Sequence, residues 1–240
     1  MRDPSVFTTL AFVTFGPGGE RAFSFARKPG ADTQLRFDEL ELSLIDQSRA
    51  FHFGALSLTD EPARSATRQA VAYARAQGKL VTFDPNYRPP LWRSEAQARA
   101  ETLWGLEQAD VVKLSDEELA FLWGCTPEEG ARRLREECGV ALAMITLGPQ
   151  GCYLENARGA CRVPAPAVRP VDTTGAGDAF FAGITMGLTY GKTMDEACEI
   201  GTRLSASVIC TSENVCPRFL PSEFGLEPGR AAGEQLTFDI

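Results

Sequence analysis

Residues 171–183 have the sequence VDTTGAGDAFFAG, in which a glycine-rich turn leads directly into a segment of small and apolar residues. This pattern predicts a buried helix from Gly177 to Tyr190. The first N–H groups of a helix have no partner within the helix, and the helix dipole adds positive potential at the same end. The turn therefore predicts an anion site formed by Gly175, Ala176 and Gly177.

Asp178 lies in the first turn of this predicted helix, beside the place of the anion. A carboxylate repels phosphate, so this residue is a poor phosphate ligand. It suits a base that takes a proton from a hydroxyl group while that hydroxyl attacks a phosphoryl group held by the N–H donors. The alternative is structural, because Asp178 can simply cap the helix while the glycines turn the chain.

The composition limits the size and the partners of the protein. The chain has 240 residues, of which 44% are hydrophobic, which suits one large α/β domain or one domain with a small appendage. The formal net charge is −8, and an acidic chain is a poor ligand for nucleic acid or for an anionic membrane. We therefore expect neither partner, and a phosphate site must come from backbone dipoles and a few Lys or Arg side chains.

The sequence contains seven cysteines, and no two of them form a C-x-x-C pair. Their odd number and the apolar surroundings of several predict reduced, buried thiols rather than a disulfide framework or a zinc site. No apolar segment approaches the length of a membrane span, and the N-terminus lacks a signal-peptide pattern. We expect a cytoplasmic protein.

The hydrophobic pattern predicts a hairpin followed by alternating strands and helices. The hairpin consists of strands 8–15 and 20–27 around a turn at 16–19. Regular alternation with continuously apolar strands predicts a parallel sheet that is covered on both faces. The predicted strands are 50–54, 80–84, 110–114 and 142–147, followed by an antiparallel pair at 152–155 and 161–163. The predicted helices are 62–77, 94–106, 127–138, 177–190 and 194–209, and a further helix begins with a capping box at Ser115.

Polar residues and glycines follow four successive strands of this pattern. Ligands of open parallel sheets bind at the carboxyl ends of the strands. Each group can be explained alone as a cap, a turn or a solvated charge, so it is their convergence that indicates a site. The four groups are residues 84–92, Lys113 with Ser115 and Glu118, residues 146–151, and residues 172–178.

The sequence DTTGAGDAF before a small-residue helix resembles the second signature of the PfkB (ribokinase-like) family of carbohydrate kinases. The resemblance covers nearly the whole chain from Thr8. Segment 25–32 resembles the lid-to-core junction of fructokinase-like members, and segments 51–58 and 84–92 are similar to fructokinases and 2-keto-3-deoxygluconate kinases. The resemblance implies a three-layer α/β/α sandwich with a mostly parallel central sheet and a small β-lid. The implied division is a lid hairpin at 1–34 and the core at 35–228, and from the sequence we expect residues 229–240 to form a weakly ordered tail.

The resemblance also implies a role for each matching residue. Asp178 would activate the primary hydroxyl of a sugar, and Gly175, Ala176 and Gly177 would hold the transferring phosphoryl group. Glu118 would hold the water shell of Mg²⁺. The residues on the sugar side would be Arg27, Asn86 and Arg88, and the last two would also lie near the phosphates. The residues on the ATP side would be Lys113, Ser115, Thr146, Gly148, Gly151, Gly175 and Gly177. Asp172 and Thr174 match a loop that binds a monovalent cation such as K⁺.

Relatives in this family have a longer segment before the position of Thr8. That segment carries the first central strand, an acidic residue that binds sugar hydroxyls, and a Gly-Gly motif at the lid hinge. None of these features is found in this sequence. We therefore expect the sheet to lack its first strands and the sugar pocket to lack a part.

These expectations lead to one main hypothesis and three alternatives. The main hypothesis is an ATP-dependent sugar kinase that phosphorylates a primary hydroxyl of fructose. The alternatives are a 2-keto-3-deoxygluconate kinase, a non-catalytic remnant that binds nucleotide, and an interaction protein that uses the exposed sheet edge. Because lid hairpins of this family pair between subunits, we also expect a homodimer through the β-lid.

Overall fold

The computed structural model describes residues 3–15, 21–211 and 220–226. These residues fall into two compact units, one within residues 1–109 and the other within residues 110–240. The predicted turn at 16–19 and the predicted tail at 229–240 lie outside the described residues. The division into lid, core and tail stays a prediction, because the two compact units do not follow it.

The first unit begins with the predicted hairpin. Strand β1 (Leu10–Phe15) pairs antiparallel with β2 (Arg21–Ala26), and Phe12 lies opposite Ser24. The remaining elements are α1 (Leu42–Gln47), β3 (Ala50–Gly54), α2 (Ala63–Ala76), β4 (Leu80–Asp84) and α3 (Glu95–Gln108). Strands β3 and β4 are parallel, as the sequence pattern predicts.

The core of the first unit is built on aromatic side chains of β3 and β4. The rings of Phe53 and Phe83 lie 4.6 Å apart, and helix α3 approaches them at Gly105. A Cβ atom on Gly105 would lie only 2.4 Å from the Phe83 ring, so a glycine is required for this helix to lie on the sheet. Every residue of β4 is buried, including the polar Thr82 and Asp84 beside the apolar Leu80, Val81 and Phe83.

The second unit contains the segments with most of the predicted site residues. Its elements are β5 (Val111–Ser115), α4 (Asp116–Leu122), α5 (Pro127–Glu136), β6 (Leu142–Thr146), β7 (Cys152–Asn156), β8 (Gly159–Val163), α6 (Ala176–Thr189) and α7 (Met194–Ile209). Strands β5 and β6 are parallel, whereas β7 is antiparallel to both β6 and β8. The predicted α/β class is confirmed, and the predicted strands and helices agree with the structure to within two residues at each end.

Helices α6 and α7 approach each other closely because small residues face one another. A Cβ atom on Gly183 would lie 2.7 Å from the Cα of Gly201, and one on Gly187 would lie 2.8 Å from the Cβ of Ala197. Real Cβ atoms need more room than this, so the small-residue sequence of α6 is a packing requirement. In the described part of the chain, no helix is long and apolar enough to cross a membrane.

Candidate active site

The turn before α6 is fixed to the end of α7. The amides of Val171 and Asp172 donate to the carbonyl of Ile209 at 2.7 and 3.3 Å. The Asp172 carboxylate accepts the amide hydrogen of Thr174 at 2.8 Å, which closes a tight turn within the predicted cation loop. These bonds set where the chain enters α6.

Gly175 is the N-cap of α6 and has a left-handed backbone, with φ of 81°. A residue with a side chain would be strained there. No side chain of the described residues caps this helix start, which differs from α4 and α7, each of which has a capping box. A side-chain cap therefore does not compete with an anion at this helix start, which is what an anion site requires.

The amide of Ala176 differs from this expectation. It donates to the carbonyl of Thr173 at 3.2 Å. The amide of Ala179 donates to the carbonyl of Gly175 at 2.9 Å, and Gly177 and Asp178 lie between these two residues. The predicted anion site would therefore centre on Gly177, and a contribution from Ala176 would require its bond to Thr173 to open.

Lys113 lies against this helix start. Its Nζ atom is 3.3 Å from the place that a Cβ atom on Gly177 would occupy, and only 6% of its surface is exposed. A buried ammonium group beside the positive end of a helix dipole favours an anion between the two. Asp178 is exposed in the same helical turn. The structure therefore places Lys113 beside Gly177, the residue before Asp178.

The ends of β5 and β6 lie side by side. Ser115 is in register with Thr146, and the Thr146 hydroxyl donates to the Leu114 carbonyl at 3.4 Å. Ser115 and Glu118 form the predicted capping box, in which the Ser115 amide donates to the Glu118 carboxylate at 2.8 Å. Glu118 is buried. Its carboxylate thus has a structural role at the start of α4.

The loop after β6 depends on two glycines with positive φ. Gly148 has φ of 54° and Gly151 has φ of 88°. A Cβ atom on Gly151 would lie 2.0 Å from the carbonyl of Val163, and the Gly151 carbonyl accepts the amide hydrogen of Leu147 at 2.8 Å. Both predicted nucleotide-side glycines are therefore required by the backbone of a tight, exposed loop.

The metal ligands implied by the resemblance can be tested against the donor atoms. The described residues contain no group of three or more His, Cys, Asp or Glu side chains that could enclose a metal ion. Mg²⁺ is commonly held by one or two carboxylates, with water and substrate phosphates completing its shell. Glu118 is buried, and its carboxylate accepts the Ser115 amide, so it could act on such an ion only through water while it keeps this bond.

The predicted sugar-side residues lie in the first unit. Arg27 is buried, and its guanidinium donates to Asp32 at 2.7 Å, to the Thr59 hydroxyl at 2.7 Å and to the Leu56 carbonyl at 2.8 Å. These partners were not predicted, because nothing in the local sequence connects positions 27, 56 and 59. Arg27 is thus a structural centre of its unit, whatever else it contacts.

Asn86 and Arg88 follow β4. Asn86 has a left-handed backbone with φ of 48°, and its amide donates to the Asp84 carboxylate at 3.1 Å. Arg88 donates to the Tyr87 carbonyl at 3.1 Å, and its guanidinium carbon lies 5.1 Å from the centre of the Phe23 ring on the hairpin. The segment after β4 and the hairpin are therefore in contact within this unit.

Comparisons with known proteins point to one family. The model of the pfkB family of carbohydrate kinases matches residues 2–218. Probable fructokinase-2 of Arabidopsis thaliana is 43% identical, with 98% of this chain and 71% of that protein covered. Fructokinase-1 of Oryza sativa subsp. japonica is 39% identical, with 92% and 70% covered. Probable fructokinase-7 of Arabidopsis thaliana is 42% identical, with 80% and 57% covered.

Solved structures give the same result. The crystal structure of fructokinase from Vibrio cholerae O395 in its fructose, ADP and calcium ion bound form has a TM-score of 0.79 and 31% identity, covering 88% of this chain and 70% of that one. The structure of fructokinase with bound ATP from Xylella fastidiosa has a TM-score of 0.76 and 28% identity, covering 88% and 70%. The chain thus spans between 57% and 71% of the length of these five proteins.

Proposed function

Because the chain belongs to the pfkB family of carbohydrate kinases, we propose that it transfers a phosphoryl group from ATP to a primary hydroxyl of fructose. The curated relatives are named as fructokinases, and one similar structure holds fructose and ADP. The observation that carries the proposal is the start of α6. There an uncapped helix end, a buried Lys113 and an exposed Asp178 occupy one place.

The chemistry follows from what each group can do. Asp178 takes the proton of the attacking hydroxyl, whose oxygen forms the new bond to phosphorus as the bond to ADP breaks. The amides around Gly177 and the Lys113 ammonium stabilise the negative charge on the phosphoryl oxygens. The proton then passes from Asp178 to water. A loose phosphoryl transition state needs positioning and charge rather than a covalent intermediate, and these residues supply both.

We further propose that a Mg²⁺ ion accompanies the nucleotide, with its water shell held by Glu118. A bound Mg²⁺ neutralises phosphate charge and orients the phosphates. The loop of Asp172 and Thr174 is the proposed site for a monovalent cation. One similar structure, a double mutant of the Vibrio cholerae fructokinase, contains fructose, ADP and a potassium ion.

The surroundings of Arg27 favour fructose over 2-keto-3-deoxygluconate. A keto acid carries a carboxylate, which would need a cation with charge to spare. The Arg27 guanidinium forms an ion pair with Asp32 at 2.6 Å and donates to two further oxygen atoms. Its charge is already balanced, so it suits a neutral hydroxyl better than a second carboxylate.

We also propose that the protein forms a homodimer through the hairpin of β1 and β2. Leu10 and Phe12 each expose 51% of their surface, and Val13 exposes 36%. Leu10 and Phe12 lie on one face of β1, since alternate residues of a strand share a face. Two adjacent exposed apolar side chains on a two-stranded sheet are suited to pairing with a second copy.

The decisive test compares Asp178→Asn with Asp195→Asn in an ADP-release assay with Mg-ATP, K⁺ and fructose. Both carboxylates lie in the first turn of a helix, so both substitutions remove a similar dipole interaction. Asp178→Asn should lower kcat by about 10²- to 10⁴-fold and leave ATP binding nearly intact. Asp195→Asn should keep its activity.

The outcomes separate the hypotheses. Equal loss of binding and turnover in Asp178→Asn would identify a structural cap instead of a base. ATP binding without any turnover in the wild-type chain, with every ketose and keto acid tried, would favour the nucleotide-binding remnant.

A further inference from the structure

Two buried thiols of the second unit face each other. Cys152 is the first residue of β7 and Cys198 lies in the second turn of α7. Their sulfur atoms are 3.6 Å apart, and the two residues expose 2% and 0% of their surface. A disulfide bond is about 2.05 Å long, so a movement of about 1.5 Å would join the pair. Cysteines 46 positions apart in the chain are thus brought to bonding range by the fold.

The two thiols are not equivalent. A hydrogen bond from Cys198 lowers the pKa of Cys152 despite its burial, and a backbone hydrogen bond with Val163 acts in the same direction. The same contact with Cys152, together with burial, raises the pKa of Cys198. Cys152 is also the less buried of the two, with 2% of its surface exposed against 0% for Cys198, so a small oxidant reaches Cys152 first. This is the division between an attacking thiolate and a resolving thiol.

A third cysteine lies near this pair but differs from it. Cys161 of β8 is opposite Leu154, so it lies on the same face as Cys152 and diagonal to it. Its thiol donates to the Asp195 carboxylate at 3.7 Å. Burial and the negative charge of Asp195 raise the pKa of Cys161. Cys161 is thus a weaker nucleophile than Cys152 and serves as the internal competitor.

We propose that Cys152 and Cys198 form a reversible disulfide when the protein meets a peroxide. The Cys152 thiolate attacks one oxygen of hydrogen peroxide, the O–O bond breaks, and the departing hydroxide takes a proton to become water. The Cys198 sulfur then attacks the sulfur of the Cys152 sulfenic acid, and the S–O bond breaks with loss of a second water. Two thiols are oxidised and one peroxide is reduced to two waters. A small-molecule dithiol reverses the reaction by exchange.

The position of the pair gives the disulfide a consequence for nucleotide binding, which rests on the proposed function. Cys152 directly follows Gly151, the last residue of the loop assigned to the nucleotide. Cys198 follows Ala197, which packs against Gly187 of α6, the helix that begins beside Asp178. Drawing β7 and α7 together should shift this loop relative to α6. We expect the oxidised protein to bind ATP at least threefold more weakly than the reduced protein.

The test uses the full chain, reduced and then treated with increasing hydrogen peroxide. We expect loss of two of the seven thiols, a mass decrease of about 2 Da for the disulfide, a linked peptide pair containing Cys152 and Cys198, and full reversal by dithiothreitol. Cys198→Ala should give no linked peptide, and a sulfenic-acid reagent should label it at Cys152. Cys125→Ala, which removes a thiol distant in sequence from the pair, should behave as the wild type.

Two results would overturn the proposal. One is oxidation of the exposed Cys210 while the Cys152 and Cys198 peptides stay unlinked. The other is a link from Cys152 to Cys161. ATP binding to the reduced and oxidised forms is measured separately by calorimetry. Equal affinities with the disulfide present would remove the nucleotide effect alone, and absence of binding in both forms would contradict the proposed function while the disulfide stands.

Discussion

Replacement of Lys113 by methionine tests whether this residue faces the phosphates of ATP. Methionine keeps most of the apolar stem and removes the ammonium group. A hydrogen bond to a charged group contributes about 1.5–3 kcal/mol, and each 1.36 kcal/mol corresponds to a factor of ten. Lys113→Met should therefore weaken ATP binding by between about tenfold and about 160-fold. Isothermal titration calorimetry measures this directly.

Two comparisons make the result specific. Adenosine has no phosphates, so its affinity should be the same for Lys113→Met and the wild type. Lys192→Met is the matched variant, because the Lys192 Nζ atom is also 3.3 Å from a glycine Cβ position, at Gly225 instead of Gly177. It should leave ATP affinity unchanged. Unaltered ATP binding in Lys113→Met would refute the assignment, and equal losses for ATP and adenosine would show general damage to the fold.

Three further predictions follow from the packing, the ion pair and the hairpin. Gly201→Ala should lower the free energy of unfolding by about 1–3 kcal/mol in urea, since the new Cβ would lie 2.6 Å from the Phe180 carbonyl; a more stable variant would contradict the close helix contact. Although partial burial opposes it, hydrogen bonds from Thr9 and Arg27 lower the pKa of Asp32 below its ordinary 3.8. The unfolded state therefore binds more protons at Asp32 than the folded state, so the contribution of this carboxylate to stability is present above about pH 4 and is lost as the pH falls through the lowered pKa. Asp32→Asn should lower the free energy of unfolding more at pH 7 than at pH 3, and equal decreases at the two pH values would refute this. Phe12→Ser should shift the molar mass from light scattering towards the 26.0 kDa of one chain, and an unchanged mass would exclude this face as the dimer contact.

The bounds of a strand or helix could be predicted from the sequence where the element has a clear hydrophobic pattern and recognisable residues at its ends. Strands β3 and β4 were predicted to the residue, because each is a short, mostly apolar segment with a turn residue at its end: Gly54 ends β3, and Pro85 follows β4. The capping box at Ser115 and Glu118 was predicted for the same reason, since its two hydrogen bonds join residues three apart. In such local patterns the interacting residues are close together in the chain, so the sequence alone is enough to predict the contact.

Helix α1 was missed because it has almost none of these signals. It is six residues long, its N-cap Glu41 makes no capping hydrogen bond, and only Ile45 is buried. A helix this short is not stable by itself. It forms because the surrounding unit holds it, and that information is not contained in residues 42–47.

For the candidate site, too, features made by consecutive residues could be predicted from the sequence, and contacts between distant residues could not. The anion site and the chemistry of Asp178 stay predictions, and they could be made from the sequence because the residues of the signature are consecutive. The signature did not predict that the Ala176 amide would be engaged by Thr173, nor that Arg27 would be held by Leu56 and Thr59. Both depend on backbone conformation or on pairs far apart in the chain.

The buried cysteines show what this division means for function. Of the described cysteines only Cys152 and Cys198 are buried, so the expected burial is wrong for the other four, and spacing contains no sign that Cys152 and Cys198 would meet. The meeting results from two separate requirements: β7 must leave the glycine loop at Gly151, and α7 must lie against α6 at Ala197 and Gly201. Both requirements are set by the elements that build the candidate site. Any movement of those elements changes the distance between the two sulfur atoms, which is why we expect oxidation of the pair and the binding of ATP to be coupled.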